Sequence, residues 1–300
     1  MAIPVDTLLL LFKGLALPAL IAGAVLLLAA KPWSKYPGDA PSTVAGVAAF
    51  AIAFIVADVL TRNWVQGLDD LWPVQADRRL AHVALAAFLF GGAAASDATS
   101  DWLRMILRGV VAAFGVAVLL AFMITNQWTP AEAAVWLFAL TLAIAIVTTV
   151  SSAAVEDNVS IRVPAVLIVM AAGVGALLSA YASKTLAQMA GAAAAALVPF
   201  LILAWRRRHS PANAAVIDAA LPVLAGLLML GHFLLEPPVA STLLLAAVPL
   251  TLCIDRLPKL DTAPRMVLNV TTIVLALLLV GAAIAVGHVY APAPLEPYYG

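Results

Sequence analysis

Ten times along this chain, polar residues give way to an almost unbroken apolar run of about 15–26 residues. The hydrocarbon core of a bilayer is about 30 Å thick and an α-helix rises about 1.5 Å per residue, so some 20 apolar residues cross it. Inside hydrocarbon every backbone amide must find its partner within the protein, which leaves helices and closed barrels as the spanning forms. Barrel strands alternate apolar and polar residues, whereas these runs are continuous. The fold class that follows is all-α, a polytopic transmembrane helical bundle of about ten spanning helices with no soluble domain. Composition agrees: 64% of residues are hydrophobic and 11% charged, where a soluble domain carries about 25% charged residues.

The runs predict helices over approximately 7–30, 42–60, 80–95, 103–124, 130–150, 161–181, 185–205, 213–235, 239–253 and 265–290. Proline, glycine and charged clusters punctuate them, as at Lys31-Pro32 and Glu236-Pro237-Pro238. Thr129 is placed to cap the fifth helix, with Pro130 at its first position. Only Ala182-Ser183-Lys184 separates the sixth from the seventh, which makes these two an antiparallel hairpin. Small residues at four-residue spacing (Ala171, Gly175, Ser179; Gly191, Ala195) predict close packing and a central place for this hairpin. The third run is short and carries Gly91-Gly92, which suits a tilted or re-entrant course.

The cationic residues orient the weave. Trp205-Arg206-Arg207-Arg208-His209 is the densest basic loop, and Lys and Arg in short loops favour the cytoplasmic side. With ten crossings, eleven of the 16 Lys and Arg residues fall on the side of that loop and four on the other, Lys13 lying within the first helix. Omitting the third helix would set the two flanking halves in opposite registers and blur this contrast, so the charges support ten. Both termini are then expected on the non-cytoplasmic side of a plasma or inner membrane. Residues 1–300 form a single integral membrane domain, since the longest interruption, 61–79, is too short for a core of its own. No basic residue precedes the first run, so it is read as a retained helix rather than a cleaved leader.

Charge inside a bilayer is costly and marks candidate sites. On the expected outer half, Lys13, Asp58, His82, Glu132, His232 and His288 come from six different helices. The functional reading gathers them into an outward-facing polar vestibule, with a Lys13–Asp58 ion pair and histidines that relay protons. The plainer reading is that polar residues are tolerated at helix ends, with Lys13 snorkelling to the headgroups. Nearer the basic side, Arg108 and Asp218 form a candidate intramembrane pair; the alternative sends Arg104 and Arg108 to anionic lipid headgroups. No metal site is assigned, because His82, His232 and His288 show no helical ligand spacing and neither CxxCH nor HExxH occurs. The loop with Asn63-Trp64, Asp69, Asp70, Trp72 and Asp77 lacks aspartate-rich diphosphate-site spacing and reads as a solvated, Trp-anchored turn.

These features point to function only in outline. Positive and negative side chains balance at 16 each, which names no nucleic-acid partner; the lone Cys253 excludes an internal disulfide, and no cofactor motif is present. With little of the chain outside the bilayer, any activity must occur within it. The first expectation is a transporter of a small solute or ion, with Pro18, Gly91-Gly92, Pro222 and Pro249 as helix breaks able to line a cavity. In size and helix count the chain resembles the drug/metabolite transporter superfamily, although the expected outside termini depart from that family's cytoplasmic ones. The alternative is a non-catalytic membrane subunit or scaffold, assembling with other membrane proteins or with itself. A third is an intramembrane transferase using His82 with Asp58 or Asp69.

Overall fold

Among the described residues each of the ten apolar runs is helical, in the order and within a few residues of the bounds their sequences predict, the fourth broken at Leu120 before a short helix over Ala121–Asn126. The computed structural model describes residues 9, 12–29, 42–62, 75–96, 98–155, 161–206, 211–256 and 264–291, and among them there is no strand. The acidic stretches 69–70 and 156–158, Arg207 to His209 and the tail beyond residue 291 lie outside the described residues. We number the segments α1 (Phe12–Ala29), α2 (Thr43–Arg62), α3 (76–94), α4 (Asp101–Leu119), α5 (Pro130–Val155), α6 (Arg162–Ala180), α7 (Lys184–Arg206), α8 (Pro211–Leu235), α9 (Val239–Ala247, continued by 3-10 turns over Val248–Arg256) and α10 (Arg265–Val289). Eight of these, all but α3 and α9, are single helices long and apolar enough to cross a membrane. The protein is a multi-pass integral membrane protein.

The two exceptions reach as far by other geometries. Segment α3 is built from a 3-10 turn (Ala76–Arg79), an α stretch (Leu80–Ala86), a π-turn (Ala87–Gly91) and a last α turn (Gly92–Ala94). Near its start, Arg79 donates to the carbonyl of Val118 at the end of α4 (3.0 Å); after its end, Ser96 accepts from Arg104 at the start of α4 (3.2 Å). It therefore runs antiparallel along the whole of α4 and does not turn back. Segment α9 has 9 α-helical residues and 9 in 3-10 turns. Because a 3-10 helix rises about 2.0 Å per residue, this short piece extends about 31 Å.

Successive segments alternate in direction. Gly46, Gly91, Arg108, Ser152 and Arg256 all meet neighbours at the end of the bundle where α8 begins, whereas Trp128, Tyr181, His232 and Gly287 meet theirs at the other. Of the described cations, Arg104, Arg108, Arg162, Arg206, Arg256 and Arg265 stand toward the first end, called here the basic end; Arg78, Arg79 and Lys184 stand toward the far end.

Central place goes to α8 rather than to the α6–α7 hairpin. The hairpin is tightly packed, with a Cβ on Gly175 reaching Ala190 at 3.4 Å, but Gly191 faces Leu15 of α1 instead of α6. Of the α8 apolar window 89% is buried, against 56% for α6 and 50% for α7. Its sequence explains this: apart from Asn213, Asp218 and His232 it is apolar all round, and Ala212, Ala215, Ala219, Ala220, Gly226 and Gly231 let neighbours approach closely. Gly46 of α2 is the extreme case, for a Cβ there would run into the backbone of Ala212. Segments α5, α1 and α10, with 11%, 22% and 28% buried, form the flanks.

Candidate functional site

Asp218 lies seven residues into α8 and Arg108 seven residues into α4, each about 10 Å along its helix from the basic end. The guanidinium grips the carboxylate with two bonds, Nε to Oδ1 at 2.7 Å and an Nη to Oδ2 at 3.2 Å. Ser152 of α5 adds a third donor, its Oγ lying 3.3 Å from Oδ1. Both charged side chains are buried, 8% and 3% exposed. Two parallel bonds between planar groups are the strongest arrangement such a pair adopts, and they fix its orientation. Arg108 is thus turned into the bundle rather than toward lipid headgroups. Arg104, one turn nearer the end, pairs with Asp101 at 3.7 Å.

Broken helices flank this pair. The π-turn of α3 brings Gly91 against α8, where an added Cβ would sit 3.0 Å from the Asp218 carbonyl oxygen. Only a residue without a side chain lets the two backbones come so near. On the other flank Pro249, which has no N–H for a regular α bond, falls within the 3-10 turns, and its carbonyl accepts from Ser151 at 3.4 Å. Arg256 donates to the Ala153 carbonyl and ties the same turns to the end of α5. Segments α3, α4, α5, α8 and α9 thus converge around one buried charge pair. Of these partners, Ser152 is the one sequence reasoning missed. Its signal was the hydroxyl run Thr148-Thr149-Val150-Ser151-Ser152 in an otherwise apolar segment.

Of the six outer-half residues, Glu132 and His288 lie exposed at the surface rather than turned into a shared site. Lys13 sits part-buried in the π-turn that opens α1. Asp58 is fully buried in α2 and His82 half-buried in α3. Glu132 is exposed and serves its own helix. It accepts from the Thr129 N–H and hydroxyl, each at 2.9 Å, while its N–H donates to Thr129 Oγ at 3.3 Å, a reciprocal cap. His288 is exposed on α10. His232 stands 3.5 Å from the Thr242 hydroxyl, beside Phe233, Trp128 and Trp136 at the far end. Among the described residues no three His, Cys, Asp or Glu side chains come close enough to hold a metal. Glu132 and His288 share a depth with the buried Asp58, which sequence supplies, but not its burial, which depends on azimuth.

His232 and Thr242 do border a cavity of about 310 Å³ between α5, α8 and α9, with Met170 of α6 behind. Helices α5 and α9 do not pack on one another there, while α5 does pack on the 3-10 turns below. The space is a wedge, open at the side toward the far end and shut at the basic end. Lys13, Asp58 and Asp218 do not line it. The chain matches no family model, and no curated protein shows significant similarity to it.

Proposed function

We propose that this protein is a small-solute transporter of a plasma or inner membrane, and that the Arg108–Asp218–Ser152 cluster is the centre about which its segments rearrange. The observation that carries this reading is the cluster's setting. A bidentate ion pair is buried among membrane segments, and the two segments flanking it lose α-helical regularity at its depth. A buried ion pair adds little net stability over apolar packing, so its presence needs another reason. Charges inside membrane bundles commonly mark solute or proton pathways, and irregular helices beside them supply backbone groups that can change partners. This reading does not draw on an outer vestibule, since Glu132 and His288 are exposed at the surface. The cytoplasmic side is assigned to the basic end by the positive-inside rule, with both chain termini opposite.

Alternating exposure of the cluster tests the proposal. In a Cys253→Ala background, single cysteines at Ala112, Ala215 and Leu221, within a turn of Arg108 or Asp218, are probed with a membrane-impermeant maleimide in sealed vesicles of each orientation. A transporter labels at one or more of these positions from both sides. Labelling from neither side at all three overturns the proposal and leaves the scaffold reading, in which the core stays packed and the flanks of α5 and α10 meet other proteins.

A further inference from the structure

We propose that the wedge between α5, α8 and α9 binds a long-chain fatty acid drawn from the far leaflet, chain inward and carboxylate at His232 and Thr242. Its shape is the first argument. The lining runs from Trp136 to Val147 on α5, from Phe233 to Leu221 on α8, and from Val239 to Pro249 on α9. At 1.5 Å per residue each wall is about 16 Å long. That is close to half of a hydrocarbon core about 30 Å thick, so the wedge matches one leaflet. Spread over that length, 310 Å³ leaves a mean section of about 19 Å². The volume is about twice that of a cavity that holds benzene, drawn out into a narrow channel. Contacting carbons lie about 3.5–4.0 Å apart, so one polymethylene chain is itself about 4 Å thick. A single chain fits such a space.

Chemistry is the second argument. No Lys, Arg, Asp or Glu lines the wedge, so nothing in it is matched to a phosphate. The polar side chains in the lining are His232 and Thr242, with Trp136 beside them, all at the far end. Imidazole and hydroxyl lie 3.5 Å apart and meet each other; with that long bond exchanged, each can donate to one oxygen of a carboxylate. Access is the third argument. Val239 and Leu243, 59% and 63% exposed, rim the side opening, so a chain can slide in laterally without its head leaving the interface. The deep end stops at Leu221, one turn from Asp218. This inference rests on the transport reading only for the fate of the bound molecule.

The protein in phosphatidylcholine nanodiscs is photolabelled with palmitic acid carrying a mid-chain diazirine, and the labelled peptides are mapped by mass spectrometry. Label is expected within 136–147, 221–233 and 239–249, displaced by unlabelled palmitate and far less by lysophosphatidylcholine. Ala225→Phe and Leu228→Trp, two independent ways of filling the wedge, each lower it at least about tenfold. Ala19→Phe, on the groove between α1, α6 and α7, leaves it unchanged. His232→Leu with Thr242→Val weakens displacement by palmitate about tenfold but not by hexadecane. Label spread evenly over the lipid-facing flanks, or unchanged in both filled variants, overturns the site. Equal displacement by lysophosphatidylcholine overturns the fatty-acid assignment. Two-sided thiol labelling near Asp218 without wedge labelling defeats this inference alone, and the converse defeats the transport reading alone.

Discussion

At Asp218 two carboxylate oxygens take three donors from two other segments, and this invites an experiment that separates stability from function. Arg108→Met leaves a carboxylate buried with one hydroxyl for company and is expected to cost about 3–5 kcal/mol. Combining it with Asp218→Leu removes both charges and is expected to restore most of that loss, because apolar replacement of a whole buried pair is often neutral. Thermal unfolding in detergent measures both; the double variant, though stable, should lose two-sided thiol labelling. Arg108 and Asp218 were legible as a pair because each lies a similar distance from the same end of its helix. Ser152 was not, since nothing in a sequence states which face of α5 meets α8. Glu132 was misleading for the opposite reason. Thr129-Pro130-Ala131-Glu132 carries the pattern of a reciprocal cap, and that local role accounts for the carboxylate without any vestibule.

Among the elements, three of the four expected breaks fall where regular helix fails. A π-turn precedes Pro18, another ends at Gly91, and 3-10 turns contain Pro249, whereas Pro222 sits within an unbroken α8. What the chain could not reveal was the form of each break, because π and 3-10 turns depend on which neighbour takes up the released backbone group. The α6–α7 turn shows a cost that can be removed. Ala182 has φ of +59°, a left-handed conformation that strains a residue with a Cβ, and Ser183 donates back to the Leu178 carbonyl. Ala182→Gly is expected to stabilise the protein by about 0.5–1 kcal/mol, after the glycine's greater unfolded-state entropy is allowed for. Gly46→Ala should do the reverse, by about 1–3 kcal/mol, since its methyl meets the α8 backbone and no side chain can yield. Unfolding midpoints of the two variants check both signs.

For the whole molecule, the number and bounds of the segments were readable because hydrocarbon thickness sets a length and charge sets where each run stops. The centre was less so. Small residues occur in α6, α7 and α8 alike, and only the assembled contacts select α8, where small positions occur on more than one face. Nor do the two halves repeat. An inverted five-plus-five arrangement would pair α3 with α7 as closely as α8 pairs with α2, and α3 and α7 make no such contact. Sidedness is the remaining expectation at this scale. A reporter fused after Gly300 should respond only to reagents outside the cell, and a cysteine at Arg206 only to those inside. Finding both in one compartment would mean an even number of crossings between them, in place of the three segments α8, α9 and α10.

The nine 3-10 residues at the base of α9 are a strut held at full stretch. Rewinding them into α form would retract that end by about 4.5 Å, at 0.5 Å per residue. The tethers to Ser151 and Ala153 are what such a stroke would have to release. Since Ser152 lies between those two anchors, shortening the strut would pull on the residue that donates to Asp218.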